Sequence, residues 1–189
     1  EHGTREFPYA CYMVTENFPR YNMVPHWHNE CEIIYVRRGT FELFLNGRTH
    51  RIDEGCCSLI IGGSVHGGTP LKDCRYDCLV FDMATLLKAS QISAIQLQPI
   101  LNHEKQFVTV FPVDSKPSQY ALEAIEAMLR KPVSYELIVP GTLLCMLASI
   151  VSDDELFSVA DGAASDIKKA RRFKQVISYI EQHYRENIT

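Results

Sequence analysis

The first part of the chain alternates short apolar runs with turn signals, a pattern that predicts antiparallel β-structure. β-Branched and aromatic residues dominate five expected strands, at 31–36, 40–45, 48–52, 56–61 and 76–81. Residues of these types are enriched in strands. Asn46-Gly47, between two of the strands, is a strong hairpin signal because both residues tolerate positive φ. Turn signals about every ten residues favour a sandwich or a barrel.

The remainder of the chain has the spacing of helices. Apolar residues recur at helical intervals over 118–131 and again over 135–152. Ser118 is predicted to cap the first of these helices, because serine accepts a hydrogen bond from a helix's first turn. The segment 105–111 is predicted to add one more strand. A last amphipathic helix is expected to begin near Asp166.

Composition narrows the class of protein. The chain has 189 residues, 46% of them hydrophobic, which is enough for a packed core. Its net charge of −4 argues against binding nucleic acid unaided, because phosphate contacts favour a basic excess. The seven cysteines follow no disulfide framework and are expected to be free thiols. With no signal peptide and no run long enough for a membrane span, we expect a cytoplasmic protein without membrane contact.

One short stretch carries candidate chemistry. His26, His28 and Glu32 are separated by even steps, which place side chains on one face of an extended chain. His66, which follows a glycine pair, is a fourth candidate. Two imidazoles and a carboxylate on one wall could hold a metal ion. The alternative is a polar pocket for an organic ligand, since a buried Glu32 needs a metal, a cation or a polar partner.

The spacing of these residues resembles the two motifs of the cupin family. The matching patterns are His26-x-His28-x3-Glu32-x6-Gly39 and Gly55-x5-Ile61-x-Gly63-x2-His66. The first motif lacks its leading glycine, the second has Ile61 in place of the usual proline, and its final asparagine is missing. The resemblance implies a double-stranded β-barrel, or jelly roll. It also implies that His26, His28, Glu32 and His66 are the metal-ligand positions, for Zn, Ni, Fe or Mn.

The order of elements resembles AraC-type transcription regulators. Residues 26–36 resemble the opening of that family's sensor domain, and 172–189 resemble the first helix of its helix-turn-helix domain, which would continue past Thr189. The resemblance implies a mainly β protein with C-terminal helices. Its segments would be a cupin-like barrel at 1–82, a last strand with linker and dimerisation helices at 83–165, and the start of the DNA-binding domain at 166–189.

The same resemblance implies a function without catalysis. The domain would bind a small-molecule effector, form a homodimer and control DNA binding by the full-length protein. Candidate effector contacts, besides the four metal positions, are Tyr35, Phe44, Tyr9 and Tyr12. The alternative is a metal-dependent cupin enzyme, a dioxygenase or an isomerase, that uses the three-histidine, one-glutamate set. The sequence leaves the effector and the metal open.

Overall fold

The computed structural model describes residues 3–88, 91–101 and 107–153, together with positions 176, 179 and 183. Within these residues the chain forms a two-sheet β-structure followed by helices. The strands are β1 Tyr9–Val14, β2 Met23–His26, β3 Cys31–Arg38, β4 Thr40–Leu45, β5 Arg48–Asp53, β6 Cys57–Ile60, β7 His66–Pro70 and β8 Arg75–Phe81. The helices are α1 Met83–Leu87, α2 Gln91–Leu101, α3 Lys116–Arg130 and α4 Tyr135–Val151.

The strands form two four-stranded antiparallel sheets. Sheet A has the order β1-β8-β3-β6, and sheet B has the order β2-β7-β4-β5. Consecutive strands therefore often lie in opposite sheets, as expected for a jelly roll. The turn at Asn46-Gly47 joins β4 to β5 and both residues have positive φ, so the predicted hairpin is confirmed.

The space between the sheets is filled by what we call the barrel core. Its buried members are Val14, Ile34, Val36, Phe41, Leu43, Ile52, Ile60, Cys74, Tyr76 and Cys78. They come from both sheets and alternate with residues of the opposite face, as the two-residue period of a strand requires. This packing joins the two sheets into one unit.

The other face of sheet A carries the helices. Ile33 and Leu79 on this face belong to a second buried cluster, the helix-facing core, together with Ile125 of α3 and Leu143 of α4. Residues 31–36 of β3 are therefore all buried, because one face meets sheet B and the other meets helices. A strand buried on both faces loses the usual polar alternation, which explains the continuous apolar run in the sequence.

An ion-pair network ties α3 to sheet A. Arg37 of β3 pairs with the buried Asp77 of β8, and its Nη1 lies 2.6 Å from Oε1 of Glu126 on α3. Arg130 extends the network, with its Nε 2.7 Å from Oε2 of Glu126. Burial raises the pKa of Asp77 above its usual value, and the Arg37 guanidinium opposes that shift. The barrel and the helix are thus joined by charge as well as by apolar packing.

Two predictions for the helical part are wrong. The segment 105–111 was expected to be a strand, but its described residues, 107–111, make only an isolated bridge between Phe111 and Cys57. Ser118 does not cap α3, because Ser115 stands at the cap and its hydroxyl accepts from the Ser118 amide at 3.3 Å. The Ser118 hydroxyl instead donates to the Phe111 carbonyl at 3.0 Å.

The last predicted segment is described at three positions alone. Residues 176, 179 and 183 are helical, and the rest of the helix expected from Asp166 lies outside the described residues, as does the linker at 158–165. Across the part of the chain that the structure describes, no helix combines the length and apolar character needed to cross a membrane.

Candidate metal centre

Two of the four candidate ligands are cross-strand partners in sheet B. His26 ends β2, His66 begins β7, and the two are directly paired in the antiparallel ladder. Their ring centroids are 4.4 Å apart. His66 is 1% exposed, whereas His26 is open to solvent. The ladder therefore places one buried and one exposed imidazole side by side at one end of the barrel.

The other two ligands come from β3 of sheet A and from the loop before it. Glu32 is the second residue of β3 and is 3% exposed. His28 lies between β2 and β3, where residues 27–30 interrupt the extended chain. The chain from His26 to Glu32 is thus not extended throughout, as the even-step argument assumed, although the side chains do converge. They converge because the loop crosses from sheet B to sheet A at this end of the barrel.

The four side chains form one cluster. One potential ligand atom from each of His26, His28, Glu32 and His66 lies within 4.8 Å of every other. Oε2 of Glu32 is 3.1 Å from Nε2 of His28 and 3.2 Å from Nε2 of His66. Ligand atoms about 2.1 Å from one ion lie about 3.0 to 3.4 Å apart at octahedral or tetrahedral angles. The spacing around Glu32 thus fits a shared ion.

The backbone sets which ring nitrogen of each histidine is available. Nδ1 of His26 donates to the Val24 carbonyl at 2.9 Å, and Nδ1 of His66 donates to the Ser64 carbonyl at 2.9 Å. Nδ1 of His28 donates to its neighbouring carbonyl, that of Glu30, at 3.0 Å. A carbonyl only accepts, so each Nδ1 carries a proton, and Nε2 is the ring nitrogen that an ion would bind once Nε2 has lost its own proton.

The charges in the cluster are strongly coupled. Burial would raise the pKa of Glu32, but hydrogen bonds from His28 and His66 outweigh it and hold that pKa well below its usual range. Burial opposes protonation of His28, yet Glu32 raises the pKa of His28 above its ordinary value. Burial lowers the pKa of His26. The negative charge of Glu32 thus favours a positive charge on its neighbours, and a bound cation would supply that charge.

The donor set defines which ions the cluster could hold. Three neutral imidazoles and one carboxylate suit first-row divalent ions such as Zn, Ni, Fe and Mn. A four-ligand site on a five- or six-coordinate ion leaves positions for an oxygen or nitrogen donor from a small molecule. The predicted possibility of a divalent metal is therefore supported by the geometry of the cluster.

The residues predicted to contact an organic effector do not join this cluster. Tyr35 and Tyr9 belong to the helix-facing core, on the outer face of sheet A. Phe44 alternates with the inward-facing Leu43 and so lies on the outer face of sheet B. Tyr12 packs against the barrel core. A role for these four residues in effector binding stays a prediction.

Sequence reasoning missed the contacts that hold the ligand loop in place. The Gly63 amide donates to the His28 carbonyl at 2.8 Å. A Cβ added at Gly62 would lie 2.0 Å from the Asn29 carbonyl oxygen, so only glycine permits this approach. The glycine pair was expected to aim His66, and it also supports His28. The Gly-Gly pair was visible in the sequence, but the sequence does not show that it packs against the backbone of His28 and Asn29.

Fold and cluster together define a cupin-type barrel with a candidate metal centre. Residues 8–139 match the family described as AraC-like ligand binding domain. Since that match covers more than half of the sequence, the chain belongs to the family of AraC-like ligand binding domains.

Individual relatives agree with this assignment. The chain is 26% identical over 196 residues to an uncharacterised HTH-type transcriptional regulator, YdeC, of Bacillus subtilis (strain 168). All of this chain is aligned, and it spans 66% of that protein's length.

Among solved structures, one matches the whole chain and another matches part of it. ToxT of Vibrio cholerae strain SCE256 matches all of this chain and 69% of its own, with a TM-score of 0.56 and 10% identity. KdgF of Halomonas sp. matches 39% of this chain and 67% of its own, with a TM-score of 0.33 and 25% identity. At 10% identity the likeness to ToxT is one of fold alone.

Proposed function

We propose that this chain is the effector-sensing and dimerisation domain of an AraC-type transcription regulator and that its sensing site is built on a divalent metal ion. The observation that carries the proposal is the convergence of His26, His28, Glu32 and His66, with each histidine Nδ1 bonded to a backbone carbonyl so that Nε2 is left to face the ion. Family membership supports the sensing role. The similarity to YdeC supports control of a helix-turn-helix domain.

The positions of the four proposed ligands suggest how binding of the ion and an effector could change the positions of the helices. His26 and His66 belong to sheet B, while Glu32 belongs to sheet A, so one ion would bridge the two sheets. Sheet A packs against the helices on its other face. An effector that binds one arrangement of the sheets better than another would shift the population of helix positions. DNA binding in the full-length protein would change accordingly.

The test begins with the metal. The purified domain is stripped with a chelator, titrated with Zn²⁺, Ni²⁺, Mn²⁺ and Fe²⁺, and analysed for bound metal per chain. We expect one ion per chain in the wild type and none in Glu32→Gln, which keeps the shape but loses the charge. Full-length protein is then assayed for DNA binding with and without the ion. A wild type that retains no metal would contradict the proposal.

Dimerisation is proposed through α4. Its buried positions, such as Val139 and Met146, face α3, while Leu137 is 75% exposed. Gly141 and Ala148 are exposed along the same stripe. An uncharged exposed stripe on a helix fits a second copy better than it fits water. The dimer stays a proposal that rests on the character of this surface.

Sedimentation of two matched variants tests the dimer. Leu137→Arg places a charge in the stripe on α4, whereas Gln119→Arg places one on an exposed position of α3. We expect Leu137→Arg to sediment as a monomer at concentrations where Gln119→Arg and wild type sediment as dimers. Equal sedimentation of both variants as dimers would contradict an interface on this stripe.

The metal cluster also supports a second function, that of a metal-dependent enzyme. A dioxygenase or isomerase would use the same four ligands and an open coordination position. Family membership favours the sensor. Turnover of a substrate by the metal-loaded domain would favour the enzyme, and metal-dependent DNA binding by the full-length protein without turnover would favour the sensor.

A further inference from the structure

Sheet A places its inward-facing residues in rows that cross the strands. Glu32 of β3 is paired with Val80 of β8 and with Ile60 of β6. One step deeper into the barrel, Ile34 of β3 is flanked in the same way by Cys78 and by Ser58. Cys78 and Ser58 are therefore diagonal neighbours of the metal-binding carboxylate, one on each side of β3.

The two diagonal neighbours, Cys78 and Ser58, differ in their interactions with the surrounding side chains. Burial raises the pKa of the Cys78 thiol, and the nearby Glu32 carboxylate raises it further. Ser58 is fully buried, and its hydroxyl has no hydrogen-bond partner among the described residues. Diagonal positions on one face of a sheet are within reach of a long side chain. Cys78 is thus placed where its thiol could donate a hydrogen bond to Glu32.

Glu32 has neighbours on two sides. Oε2 faces the Nε2 atoms of both His28 and His66, on the side where an ion would lie. Cys78 lies within sheet A, so a hydrogen bond from its thiol would reach the carboxylate from the wall of the barrel. A carboxylate held from both sides cannot rotate freely about its last bond. A hydrogen bond from the wall would therefore fix the direction in which Oε2 points.

We propose that Cys78 is a positioning residue for the metal centre, which orients Glu32 through a thiol hydrogen bond without ligating the ion. This inference rests on the proposed metal-binding function. Partners of metal ligands typically change metal affinity by about 10- to 100-fold when they are removed. Cys78 lies outside the group of four side chains whose ligand atoms cluster within 4.8 Å, which agrees with an indirect role.

The competing interpretation is that Cys78 only fills space in the barrel core. Cysteine often behaves as a small apolar residue in protein interiors, and Cys78 is part of that core together with Cys74. A space-filling residue would tolerate valine, which has nearly the same volume and no donor. A positioning residue would tolerate serine, which keeps the donor.

The experiment compares Co²⁺ binding to the wild type, Cys78→Val and Cys78→Ser, with affinity and the visible absorption spectrum as the two readouts. We expect Cys78→Val to bind at least about tenfold more weakly and with shifted absorption bands, because Glu32 loses its fixed orientation. We expect Cys78→Ser to stay closer to the wild type in both readouts. Should Cys78→Val not fold, Cys78→Ala replaces it in the comparison with Cys78→Ser.

Two controls remove other atoms from the same core. Ser58→Ala removes the hydroxyl on the opposite side of β3, and Cys74→Ala removes a thiol that is not next to Glu32. Both are expected to match the wild type in affinity and spectrum. If Cys78→Val binds within twofold of the wild type with an unchanged spectrum, the positioning role is overturned and the metal site stands. If the wild type itself binds no Co²⁺, the metal site and this role fall together.

Discussion

His26 and His66 stand directly opposite each other in the ladder between β2 and β7, with ring centroids 4.4 Å apart. Because the ladder fixes both backbones, the two imidazoles are brought together before any ion binds. They differ in environment, since His66 is 1% exposed and His26 is exposed. A preformed pair of this kind reduces the ordering that metal binding would otherwise require.

The difference in burial predicts a difference between two ligand variants. His66→Ala should abolish measurable metal binding, because the His66 imidazole is buried and water does not reach its position to replace it. His26→Ala should weaken binding less, because water can reach the exposed position and occupy the vacated coordination site. Isothermal titration of Zn²⁺ into each metal-free variant measures the difference.

His50→Ala serves as the control for removing a histidine. His50 lies on β5 and is not part of the four-residue cluster. Its variant should bind Zn²⁺ as the wild type does. Loss of binding in His50→Ala, or wild-type affinity in His66→Ala, would contradict the assignment of the ligands.

Gly62→Ala should weaken metal binding although it replaces none of the four proposed ligands. The added Cβ would lie 2.0 Å from the Asn29 carbonyl oxygen, so the loop that carries His28 must move. We expect weaker Zn²⁺ binding and a loss of stability of about 1 to 3 kcal/mol, as in other overpacked sites. Titration with Zn²⁺ measures the affinity, and urea unfolding measures the stability.

Gly141→Ala is the matched glycine control. A Cβ at Gly141 in α4 meets nothing within 4 Å. Because Gly141 lies on the proposed dimer stripe, both glycine variants are compared in the Leu137→Arg background. Since alanine favours a helix by up to about 1 kcal/mol over glycine, Gly141→Ala should there be as stable as its parent or more so, with unchanged metal affinity. A Gly62→Ala protein that resembles Gly141→Ala in both measurements would show that the close approach is not needed.

The sequence predicted the strands β3 to β6 better than it predicted β2 and β7. The strands of the β3 to β6 region follow from local signals, namely apolar runs and the turn at Asn46-Gly47. β2 and β7 were missed as strands because one contains a proline and the other two glycines. Those residues disfavour strands locally, and only pairing with each other and with β4 makes these segments extended.

The candidate site, too, was predictable where it depends on local spacing and not where it depends on contacts between distant strands. The four ligand types and their spacing were visible in the sequence, and all four side chains converge. The reason given for the first three was even spacing along an extended chain, yet His28 lies in a loop. Likewise, Cys78 is 46 positions from Glu32 along the chain, and only the register of β3 against β8 brings them together. Contacts that depend on register between distant strands are invisible to local patterns.

Arg37→Met should be strongly destabilising. Asp77 is buried, and Arg37 is its ion-pair partner. Removal of one partner of a buried pair leaves an uncompensated charge, which typically costs about 3 to 5 kcal/mol. The 29% exposure of the Arg37 side chain places the expected loss at the lower end, about 3 kcal/mol. Urea unfolding of the metal-free domain measures it.

Arg51→Met removes an arginine from an exposed pair and is the control. Nε of Arg51 lies 2.9 Å from Oδ1 of Asp53, and both side chains are more than half exposed. Exposed pairs contribute about 0 to 1 kcal/mol, so this variant should unfold near the wild-type midpoint. Equal effects of the two substitutions would mean that burial of Asp77 does not matter.

Metal affinity should rise with pH through the neutral range, and His28 should account for part of the slope. Its pKa lies above the ordinary value because Glu32 outweighs the effect of burial, so the proton that an ion must displace stays on His28 to a higher pH than on an ordinary histidine. Each displaced proton changes the apparent affinity by about tenfold per pH unit below the pKa. The pKa of His26 is lowered by burial, so His26 loses its proton at a lower pH and contributes less to the slope. Titrations of Zn²⁺ between about pH 6 and pH 8 should therefore give a shallower dependence for His28→Ala than for the wild type, whatever the loss in affinity. Parallel slopes for the two proteins would mean that the proton displaced by the ion does not sit on His28.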